Sequence, residues 1–339
     1  MIKVAVVILN WNGKNFLETF LPSVQKYLPH YAQIFVADNQ STDDSISFLQ
    51  KHYPQIELII NKSNGGYSKG YNDALEQIDA QYYVLINSDI EVSQDWIEPI
   101  INRMDEDLLI AACQPKILSY HDQTKFEYAG AGGGYIDKYG YPFCRGRIFQ
   151  ELDDDNGQFN DAKEVFWASG ACMFVRSKIF WELGGLDEDF FAHMEEIDFC
   201  WRAKHASYKI YYEPKSVVYH VGGGTLHKSN PRKTYLNFRN NFFLLLKNLP
   251  TRHLIPVFLW RLILDGVAAF KFLLDGNYKD TFAVLKAHLH FYKSLPKLIR
   301  KRKKIKHKKV NHIYQRNIVF DHFIKKIKKF EDLALNRFN

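Results

Sequence analysis

The sequence has few cysteines and no long apolar run. Its four cysteines lie far apart in a chain of 339 residues, without any CxxC pair, so neither a disulfide framework nor a zinc site is predicted. The apolar stretch 255–264 contains Arg261 and is followed by Asp265, and no stretch reaches the roughly 20 residues of a membrane-spanning helix. Residues 1–10 pass directly into a strand pattern without the features of a signal peptide. A globular, cytoplasmic protein is therefore predicted.

Charge is divided unevenly along the chain. Residues 215–339 hold 27 Lys and Arg against 6 Asp and Glu, whereas residues 1–214 hold 18 against 32. An acidic part can supply carboxylates to a metal ion, and a basic part suits an anionic surface, either a membrane leaflet or nucleic acid. The basic residues are densest in 297–309. They follow three segments with the pattern of amphipathic helices, at roughly 235–248, 253–275 and 278–293.

This combination of amphipathic helices and a basic run predicts that the C-terminal part lies on an anionic membrane surface. A solvated helix face is the alternative, since runs of like charge often bind nothing specific. Nucleic acid is not among the predicted partners.

The first 118 residues alternate between strand and helix patterns. Strands are predicted at 3–9, 33–37, 57–60, 82–86 and 109–116, with helices at 15–27, 43–51, 68–78 and 94–106. Strands separated by helices of this length predict parallel βαβ units in a doubly wound sheet. Residues 119–166 are irregular and rich in glycine, which predicts hairpins and a loop. Regular structure then returns, with strands predicted at 171–175, 209–212 and 217–219 and helices at 178–183 and 194–204.

The tripeptide Asn87-Ser88-Asp89 directly follows the apolar run 82–86. Such a run is typical of a buried strand, and in an open α/β sheet ligands bind at the carboxyl ends of the strands. A carboxylate there can hold a hard divalent cation against a diphosphate. The alternative is that Ser88 or Asp89 caps the next helix.

Two further segments carry candidate ligand contacts. Asp38 and Asn39 end the second strand, where a carboxylate can accept hydrogen bonds from a base or ribose; an N-cap network is equally compatible with the pattern. The segment 64–72 places glycines at a helix start, where backbone amides can approach a ligand. Its glycines do not have the GxGxxG spacing of dinucleotide-binding enzymes, and a tight turn is the alternative.

Glu195, Glu196 and Asp198 place three carboxylates within four residues at a helix start. Like charges this close favour a raised pKa and hence a general base. The i, i+4 spacing of Asp198 and Arg202 instead indicates a structural ion pair, so chemistry is assigned to Glu196 and Glu195. His220 ends a strand just before three glycines and is a candidate ligand, although a lone histidine is more often structural.

Taken together and in their order along the chain, these segments resemble the motifs of a known protein family. The segments are Ile8-Leu9-Asn10-Trp11-Asn12-Gly13, the Asp38 segment, Asn64 to Asn72, Asn87-Ser88-Asp89, Gly184 to Phe191, Glu195 to Arg202 and His220 to Thr225. Over about residues 2–247 the chain resembles family 2 glycosyltransferases of the GT-A fold, in particular the bacterial rhamnosyltransferase-like branch.

The resemblance implies roles for individual residues. Glu196, with Glu195, matches the acidic pair that contains the catalytic base. Asp89 and His220 match the metal ligands, so Mg²⁺ or Mn²⁺ is the implied cofactor. Asn87 stands in place of the first carboxylate of the family's DxD-like motif, and Glu196 where aspartate is usual. The acceptor side is assigned to Trp167 and Gly170. The nucleotide-sugar side is assigned to Leu9, Asn10, Asn12, Asp38, Asn64, Gly66, Asn72, Asn87 and Ser88.

The implied architecture is a GT-A, mostly parallel, Rossmann-like α/β domain at 1–230, followed by a helical, basic, membrane-associating extension at 231–339. The nucleotide-sugar half is expected at 1–118 and the acceptor half at 119–230. The implied reaction is inverting transfer of a hexose, with rhamnose as one candidate, from a UDP- or dTDP-sugar to a hydroxyl of a lipid-linked or polysaccharide acceptor. The rival hypothesis is a non-catalytic protein that binds a nucleotide sugar or nucleic acid.

Overall fold

The computed structural model describes residues 2–222 and 230–339. Gly223, Gly224 and Thr225 of the glycine-containing motif lie outside the described residues. The first part of the chain alternates strand and helix as predicted: β1 (Ile2–Asn10), α1 (Lys14–Lys26), β2 (Ala32–Asp38), α2 (Ser45–His52), β3 (Glu57–Ile60), α3 (Gly66–Leu75), β4 (Ala80–Asn87), β5 (Ile90–Val92), α4 (Glu98–Glu106) and β6 (Ile110–Ser119).

Strands β1, β2, β3 and β4 form the parallel part of the main sheet. β1 lies between β2 and β4, and β3 pairs with the outer edge of β2. The side chains of 4–8 in β1 are all buried, alternating between two apolar clusters on opposite faces of the sheet. Burial on both faces is why these strands read as continuous apolar runs. Their carboxyl ends therefore meet at one edge of the sheet, where ligands bind in such folds.

The middle of the chain completes this sheet and adds a smaller one. Its elements are β7 (Gly134–Asp137), β8 (Pro142–Cys144), β9 (Arg147–Ile148), β10 (Glu151–Leu152), β11 (Lys163–Glu164), β12 (Cys172–Arg176), α5 (Ser177–Glu182), α6 (Glu195–His205) and β13 (Lys209–His220). β12 lies between β4 and β6 and runs antiparallel to both, while β6 pairs in parallel with β13. The predicted α/β sheet is present, with antiparallel strands inserted on one side.

Three details differ from the sequence prediction. The strands predicted at 209–212 and 217–219 are the two ends of β13, which pairs with β6 at both ends and has register shifts after Lys209 and between Glu213 and Val217. The segment after Asp89 forms β5, so α4 begins at Glu98 rather than near residue 94. β5 forms because it pairs with the end of β13, a long-range contact that no local pattern reveals.

The C-terminal part consists of α7 (Pro231–Asn248), α8 (Thr251–Leu274), α9 (Tyr278–Lys303), β14 (Ile313–Tyr314) and α10 (Ile318–Phe323). It is not helical throughout, because β14 pairs in parallel with β7 and becomes the edge strand of the five-stranded sheet β10-β9-β8-β7-β14. The irregular region 119–166 therefore contains the predicted hairpins, completed by a strand from the end of the chain.

In helix α8 the polar residues of the middle turns face the protein interior, and the apolar residues face outward. Its buried residues are Val257, Arg261 and Asp265, and Arg261 Nη2 lies 3.1 Å from Asp265 Oδ1. Its outward side chains are mainly apolar and include Ile255, Leu259, Leu262, Ile263, Val267, Phe270 and Leu274, with Arg252 and Lys271 exposed towards its two ends. None of the helices within the described ranges has a stretch of 18 residues that is apolar enough to span a bilayer.

Part of the basic run is used inside the protein. Lys301 lies 2.5 Å from an oxygen of Asp187 and 2.6 Å from one of Asp189, and Lys297 also pairs with Asp189. Arg302 donates to backbone carbonyls at the end of α7. These contacts hold α9 against α7 and against the segment that precedes α6, so only some of the predicted surface-binding charges face outward.

Candidate active site

The pairing of β5 with β13 brings His220 beside Asp89. Ile90 lies opposite His220 in the ladder, and His220 Nε2 is 3.2 Å from Asp89 Oδ1. The other ring nitrogen, Nδ1, is 3.0 Å from Glu127 Oε2. The amide of Asn87 lies 3.5 Å from His220 Nε2. The structure thus brings Asn87, Asp89 and His220 together as predicted and adds Glu127, which sequence reasoning missed.

His220 is held between two carboxylates in a buried position. Burial lowers the pKa of the imidazole, but the charges of Asp89 and Glu127 outweigh this and raise the pKa to about 10. Burial raises the pKa of Glu127, and the charge of His220 reverses that effect, so the net shift is downward. The three groups therefore hold a proton at the carboxyl edge of the sheet, and a divalent cation bound by Nε2 of His220 would displace that proton.

The donor set at this edge fits a divalent cation. Asp89 supplies carboxylate oxygens, Asn87 an amide oxygen, and His220 an imidazole nitrogen whose opposite nitrogen is oriented by Glu127. A carboxylate behind a histidine in this way is the usual support of a metal ligand. Within the described residues, no group of three or more His, Cys, Asp and Glu forms a metal-binding cluster. Mg²⁺ commonly uses only one or two protein carboxylates and takes its other ligands from water and phosphate.

Glu195 and Glu196 open α6 after an unusual turn. Phe191, His193 and Met194 all have left-handed backbone conformations, with φ of 66°, 71° and 74°. Non-glycine residues in this region carry strain of order 1–3 kcal/mol each, and they concentrate at functional sites. The turn presents both glutamates to a cavity, and one carboxylate oxygen of each has no hydrogen-bond partner in the described structure.

Burial changes the ionisation of this acidic pair. It raises the pKa of Glu196 to about 7, although backbone N–H groups at the start of α6 partly oppose the shift. The pKa of Glu195 is raised well above its ordinary value, first by burial and then by the charge of Glu196. One carboxyl is therefore kept neutral while the other titrates near neutral pH, which is the range in which a general base is most effective.

Asp198, one turn further on, has a different environment. Its carboxylate lies 2.8 Å from Arg202 Nε and 2.8 Å from Lys247 Nζ, and it accepts a hydrogen bond of 2.9 Å from Asn248 Nδ2. These cations offset burial and lower its pKa. The predicted structural ion pair with Arg202 is present, and α7 contributes a second cation to it.

Helix α7 also holds the turn in front of the acidic pair. The amide nitrogen of Asn240 donates to the carbonyls of Phe190, Ala192 and His193 at 2.7–2.9 Å. The guanidinium of Arg239 donates to Phe190 O at 2.8 Å. These hydrogen bonds to three carbonyls of one turn stabilise its left-handed backbone conformation and so offset the strain. The C-terminal part thus positions the candidate base.

Asp38 is fully buried at the end of β2 and organises the neighbouring loop. Its carboxylate accepts hydrogen bonds from Asn10 Nδ2 at 2.8 Å, Ser41 N at 2.7 Å and Ser41 Oγ at 2.6 Å. Asn12 in turn accepts from Thr42 N at 2.7 Å. This network shapes the end of β1, where Leu9 and Asn10 line the cavity.

The glycine turn at the start of α3 is fitted against the turn before α6. Gly66 has φ of 79°, and a Cβ there would lie 2.4 Å from Phe191 O. Only glycine fits this close approach. The amide of Tyr67 donates to the same carbonyl at 2.6 Å, and Asn64 Oδ1 accepts from Gly66 N at 3.0 Å. The glycine turn on the predicted nucleotide-sugar side therefore packs directly against the turn that precedes the acidic pair.

A cavity of about 1650 Å³ connects the two sides. Predicted site residues in its wall are Leu9, Asn10, Asn64, Gly66, Asn87, Ser88, Asp89, Trp167, Gly170, Glu195, Glu196 and His220. Asn12, Asp38 and Asn72 are not in this wall. Asn72 instead exchanges two hydrogen bonds with the backbone of Leu186, at 2.8 and 3.0 Å, which holds the glycine turn at 184–186.

The two predicted acceptor residues lie beside the acidic pair. Gly170 O accepts a hydrogen bond of 2.6 Å from Tyr67 Oη, and a Cβ on Gly170 would lie 3.7 Å from the Cβ of Glu196. Trp167 donates from Nε1 to Tyr135 O at 2.8 Å and is almost fully buried. Trp167 thus packs against the small sheet while one side of it faces the cavity.

The chain belongs to glycosyl transferase family 2, whose family model matches residues 5–184. The rhamnosyltransferase-like resemblance is confirmed by relatives in that branch. A N-acetylglucosaminyl-diphospho-decaprenol L-rhamnosyltransferase of Mycobacterium tuberculosis is 25% identical over 230 residues, which are 63% of this chain and 75% of the relative. The rhamnosyltransferase WbbL of Escherichia coli is 23% identical over 62% of this chain and 80% of its own length.

Other relatives and solved structures agree with this assignment. The low-salt glycan biosynthesis hexosyltransferase Agl10 of Haloferax volcanii is 23% identical over 70% of this chain and 74% of the relative. The crystal structure of GalNAc-T7 with UDP, GalNAc and Mn²⁺ superposes with a TM-score of 0.58 at 18% identity, covering 73% of this chain and 48% of GalNAc-T7. The chain thus spans about half of that protein, and at this identity the likeness shows the fold.

Proposed function

We propose that the protein transfers a sugar from a nucleoside-diphosphate sugar to an acceptor hydroxyl with inversion at the anomeric carbon. The observation that carries this proposal is the meeting of two groups in one cavity. Asp89 and His220 form a cation-binding edge suited to a diphosphate, and Glu196 is a buried carboxylate whose pKa of about 7 suits a base. A protein that only binds a nucleotide sugar has no use for such a base.

Glu196 removes the proton from the acceptor hydroxyl as its oxygen attacks the anomeric carbon. Glu195 remains protonated beside it, so the pair carries a single negative charge at the start of the reaction. Backbone N–H groups at the beginning of α6 stabilise that charge. The attack proceeds directly on the donor, so no covalent glycosyl-enzyme forms.

The departing diphosphate is stabilised at the carboxyl edge of the sheet. Asp89 and His220 would hold Mg²⁺ or Mn²⁺, and Glu127 orients the imidazole. The bound cation supplies positive charge to the leaving oxygens. Asn87, a neutral amide, contributes an oxygen or a hydrogen bond in place of a second carboxylate.

The proposed donor is a UDP- or dTDP-sugar, with rhamnose as one candidate, and the acceptor is lipid-linked or a growing polysaccharide of the cell envelope. Names of relatives support this range, since one is a rhamnosyltransferase acting on a diphospho-decaprenol and another is a hexosyltransferase of glycan biosynthesis. The buried Asp38–Asn10–Ser41 network is proposed to shape the pocket for the nucleotide base.

We further propose that the protein works at the inner face of the cell membrane as a peripheral protein. The apolar outward face of α8 supports this, because contiguous exposed apolar surface of this kind marks an interaction site. Basic side chains that face outward in the last turn of α9 and just after it suit an anionic leaflet; they are Arg300, Lys303, Lys304, Lys306 and Lys309.

The proposal is tested by following donor consumption over a panel of nucleotide sugars with candidate hydroxyl acceptors. One donor should be consumed with acceptor-dependent release of nucleoside diphosphate, and the product should have inverted anomeric configuration by NMR. Treatment with EDTA should abolish transfer, and added Mn²⁺ or Mg²⁺ should restore it. Tight binding of a nucleotide sugar without turnover under all conditions would favour the non-catalytic alternative.

A further inference from the structure

The cavity continues past the acidic pair into the C-terminal part of the chain. Its volume of about 1650 Å³ exceeds the roughly 300–1,000 Å³ of a typical small-molecule site. The small sheet, α8 and α10 form one part of its wall, which we term the far end. There is therefore room for a second ligand next to the donor, and the residues that line this far end describe its chemistry.

Two buried guanidinium groups line the cavity, one from the small sheet and one from α8. Arg261 of α8 is 3% exposed and lies over the ring of Tyr141 at 4.0 Å, while Arg147 of β9 is 6% exposed and lies over Tyr128 at 4.4 Å. In each, the Nε–H has no hydrogen-bond partner within the described structure. Arg147 also has no carboxylate within salt-bridge distance among the described residues. Buried N–H groups without partners are costly unless a ligand uses them.

The surface around these guanidinium groups is apolar and opens outward. Val267 of α8 and Phe323 and Ile324 at α10 line the cavity, yet they are 61%, 50% and 65% exposed. Leu264, Phe272 and Phe320 extend the same apolar wall. The cavity therefore contains the base Glu196, two buried guanidinium groups and an apolar wall that is continuous with the exposed face of α8.

We propose that this far end binds the phosphate and the isoprenoid-like chain of a lipid-linked acceptor, with Arg147 and Arg261 on the phosphate and α8 and α10 on the chain. A planar guanidinium binds phosphate through two N–H groups at once. The acceptor sugar then lies between the lipid phosphate and Glu196. This inference rests on the proposed function and deepens it: the C-terminal part forms half of the active site and selects a lipid acceptor over a free polysaccharide.

Binding of farnesyl diphosphate, a soluble isoprenoid diphosphate, tests the inference by calorimetry on the full chain. It should bind at least about 10-fold more tightly than inorganic diphosphate or farnesol, because only it meets both the cations and the apolar wall. Saturating UDP should leave this binding in place, since the donor site is separate. Displacement by UDP, or equal affinity for farnesol, would overturn the proposal.

Variants locate the site. Arg147→Gln should weaken farnesyl diphosphate binding roughly 10-fold while UDP binding is unchanged. The double variant Arg261→Leu/Asp265→Leu should do the same, and it removes both partners of a buried ion pair so that no charge is left alone. If the double variant does not fold, Arg147→Gln decides the question. Wild-type affinity in Arg147→Gln would contradict the assignment of the phosphate.

A matched pair of apolar variants tests the chain-binding wall. Phe323→Ser, in the cavity wall, should weaken farnesyl diphosphate binding, whereas Leu289→Ser, at an exposed position of α9 outside that wall, should not. Equal effects would overturn the assignment. Because binding needs no turnover, absence of sugar transfer would refute the proposed function while leaving this site intact. Transfer with no farnesyl diphosphate binding would refute the site alone.

Discussion

Glu195 and Glu196 are neighbours in the chain but differ in ionisation, because nearby negative charge adds to the effect of burial on the pKa of Glu195, whereas backbone N–H groups at the start of α6 oppose it at Glu196. Glu195 is 4% exposed and its pKa is raised far, whereas Glu196 titrates at about 7. The sequence could identify the pair and its position at a helix start. It could not predict the left-handed turn at 191–194, since none of those residues is a glycine and the turn is held by contacts with distant α7.

The pH dependence of the transfer rate should follow the ionisation of the Glu196 carboxyl group. Its carboxylate form acts as the base, so kcat/KM should fall about tenfold per pH unit below about 7 and level off above it. The same shift affects stability. Because the folded protein favours the neutral form, stability from this group is lost as pH rises through about 7. Glu196→Gln should therefore raise the unfolding temperature at pH 8 but not at pH 4. A flat rate profile from pH 5 to 8 would contradict this.

Glu127 is the site residue that sequence reasoning missed. It lies 93 residues before His220 in the chain, within an irregular segment that offers no periodic pattern, so only the folded structure places it behind the imidazole. Asp89 and His220 could be predicted from the sequence, because Asp89 follows the end of β4 and His220 ends β13.

Glu127→Gln should raise the concentration of Mn²⁺ or Mg²⁺ needed for half-maximal transfer by about 10- to 100-fold, because the imidazole loses the group that orients it. Metal titration of the transfer rate measures this. Glu91→Gln on β5 is the matched control, and it should behave as the wild type. An unchanged metal requirement in Glu127→Gln would contradict the proposal that Glu127 orients His220 for metal binding.

At the scale of elements, helix α7 determines where the acidic pair points. The sequence predicted α7 from its periodicity, but its role depends on Asn240, whose amide reaches three carbonyls of the turn before α6. The parallel strands β1 to β4 were likewise predictable from their apolar runs. The antiparallel insertion of β12 between β4 and β6 was not, because strand order depends on long-range pairing rather than on local pattern.

Asn240→Ala should lower the turnover number and cost about 1–3 kcal/mol of unfolding free energy, since buried carbonyls lose their donor. The diagnostic result is a fall in kcat with donor binding unchanged, because the donor side is formed by other elements. Steady-state kinetics and chemical denaturation measure the two effects. Asn102→Ala, an exposed position on α4, is the control. Reduced stability with normal kcat would give Asn240 a structural role only.

At the scale of the whole molecule, the basic C-terminal part serves two purposes. Lys297 and Lys301 pair with carboxylates of the catalytic part, Arg302 bonds to the end of α7, and other basic side chains face outward. The sequence shows where the basic residues are concentrated. It does not show which of them form internal ion pairs and which face the solvent, because both kinds lie in one continuous run. The apolar side of α8 faces outward because the polar pair Arg261 and Asp265 lies on its buried side, which the amphipathic pattern alone does not reveal.

Flotation with liposomes tests the membrane proposal. The protein should float with vesicles that contain anionic phospholipid, and binding should weaken at high salt. Leu274→Asp on α8 should reduce flotation, because it places a charge on the apolar face. Leu108→Asp is the matched control, since the two leucines are 71% and 69% exposed. Equal flotation of both variants, or no dependence on lipid, would contradict the proposal.

The central claim is that Glu196 is the base, and Glu196→Gln tests it most directly. Gln cannot accept the acceptor proton, so transfer should fall by about 10²- to 10⁴-fold while binding of the nucleotide donor is retained. Glu76→Gln, at an exposed position after α3, should keep full activity. The transfer rate under saturating donor and acceptor is the measurement. A large loss with intact donor binding is the result that the account predicts, and wild-type turnover in Glu196→Gln would contradict it.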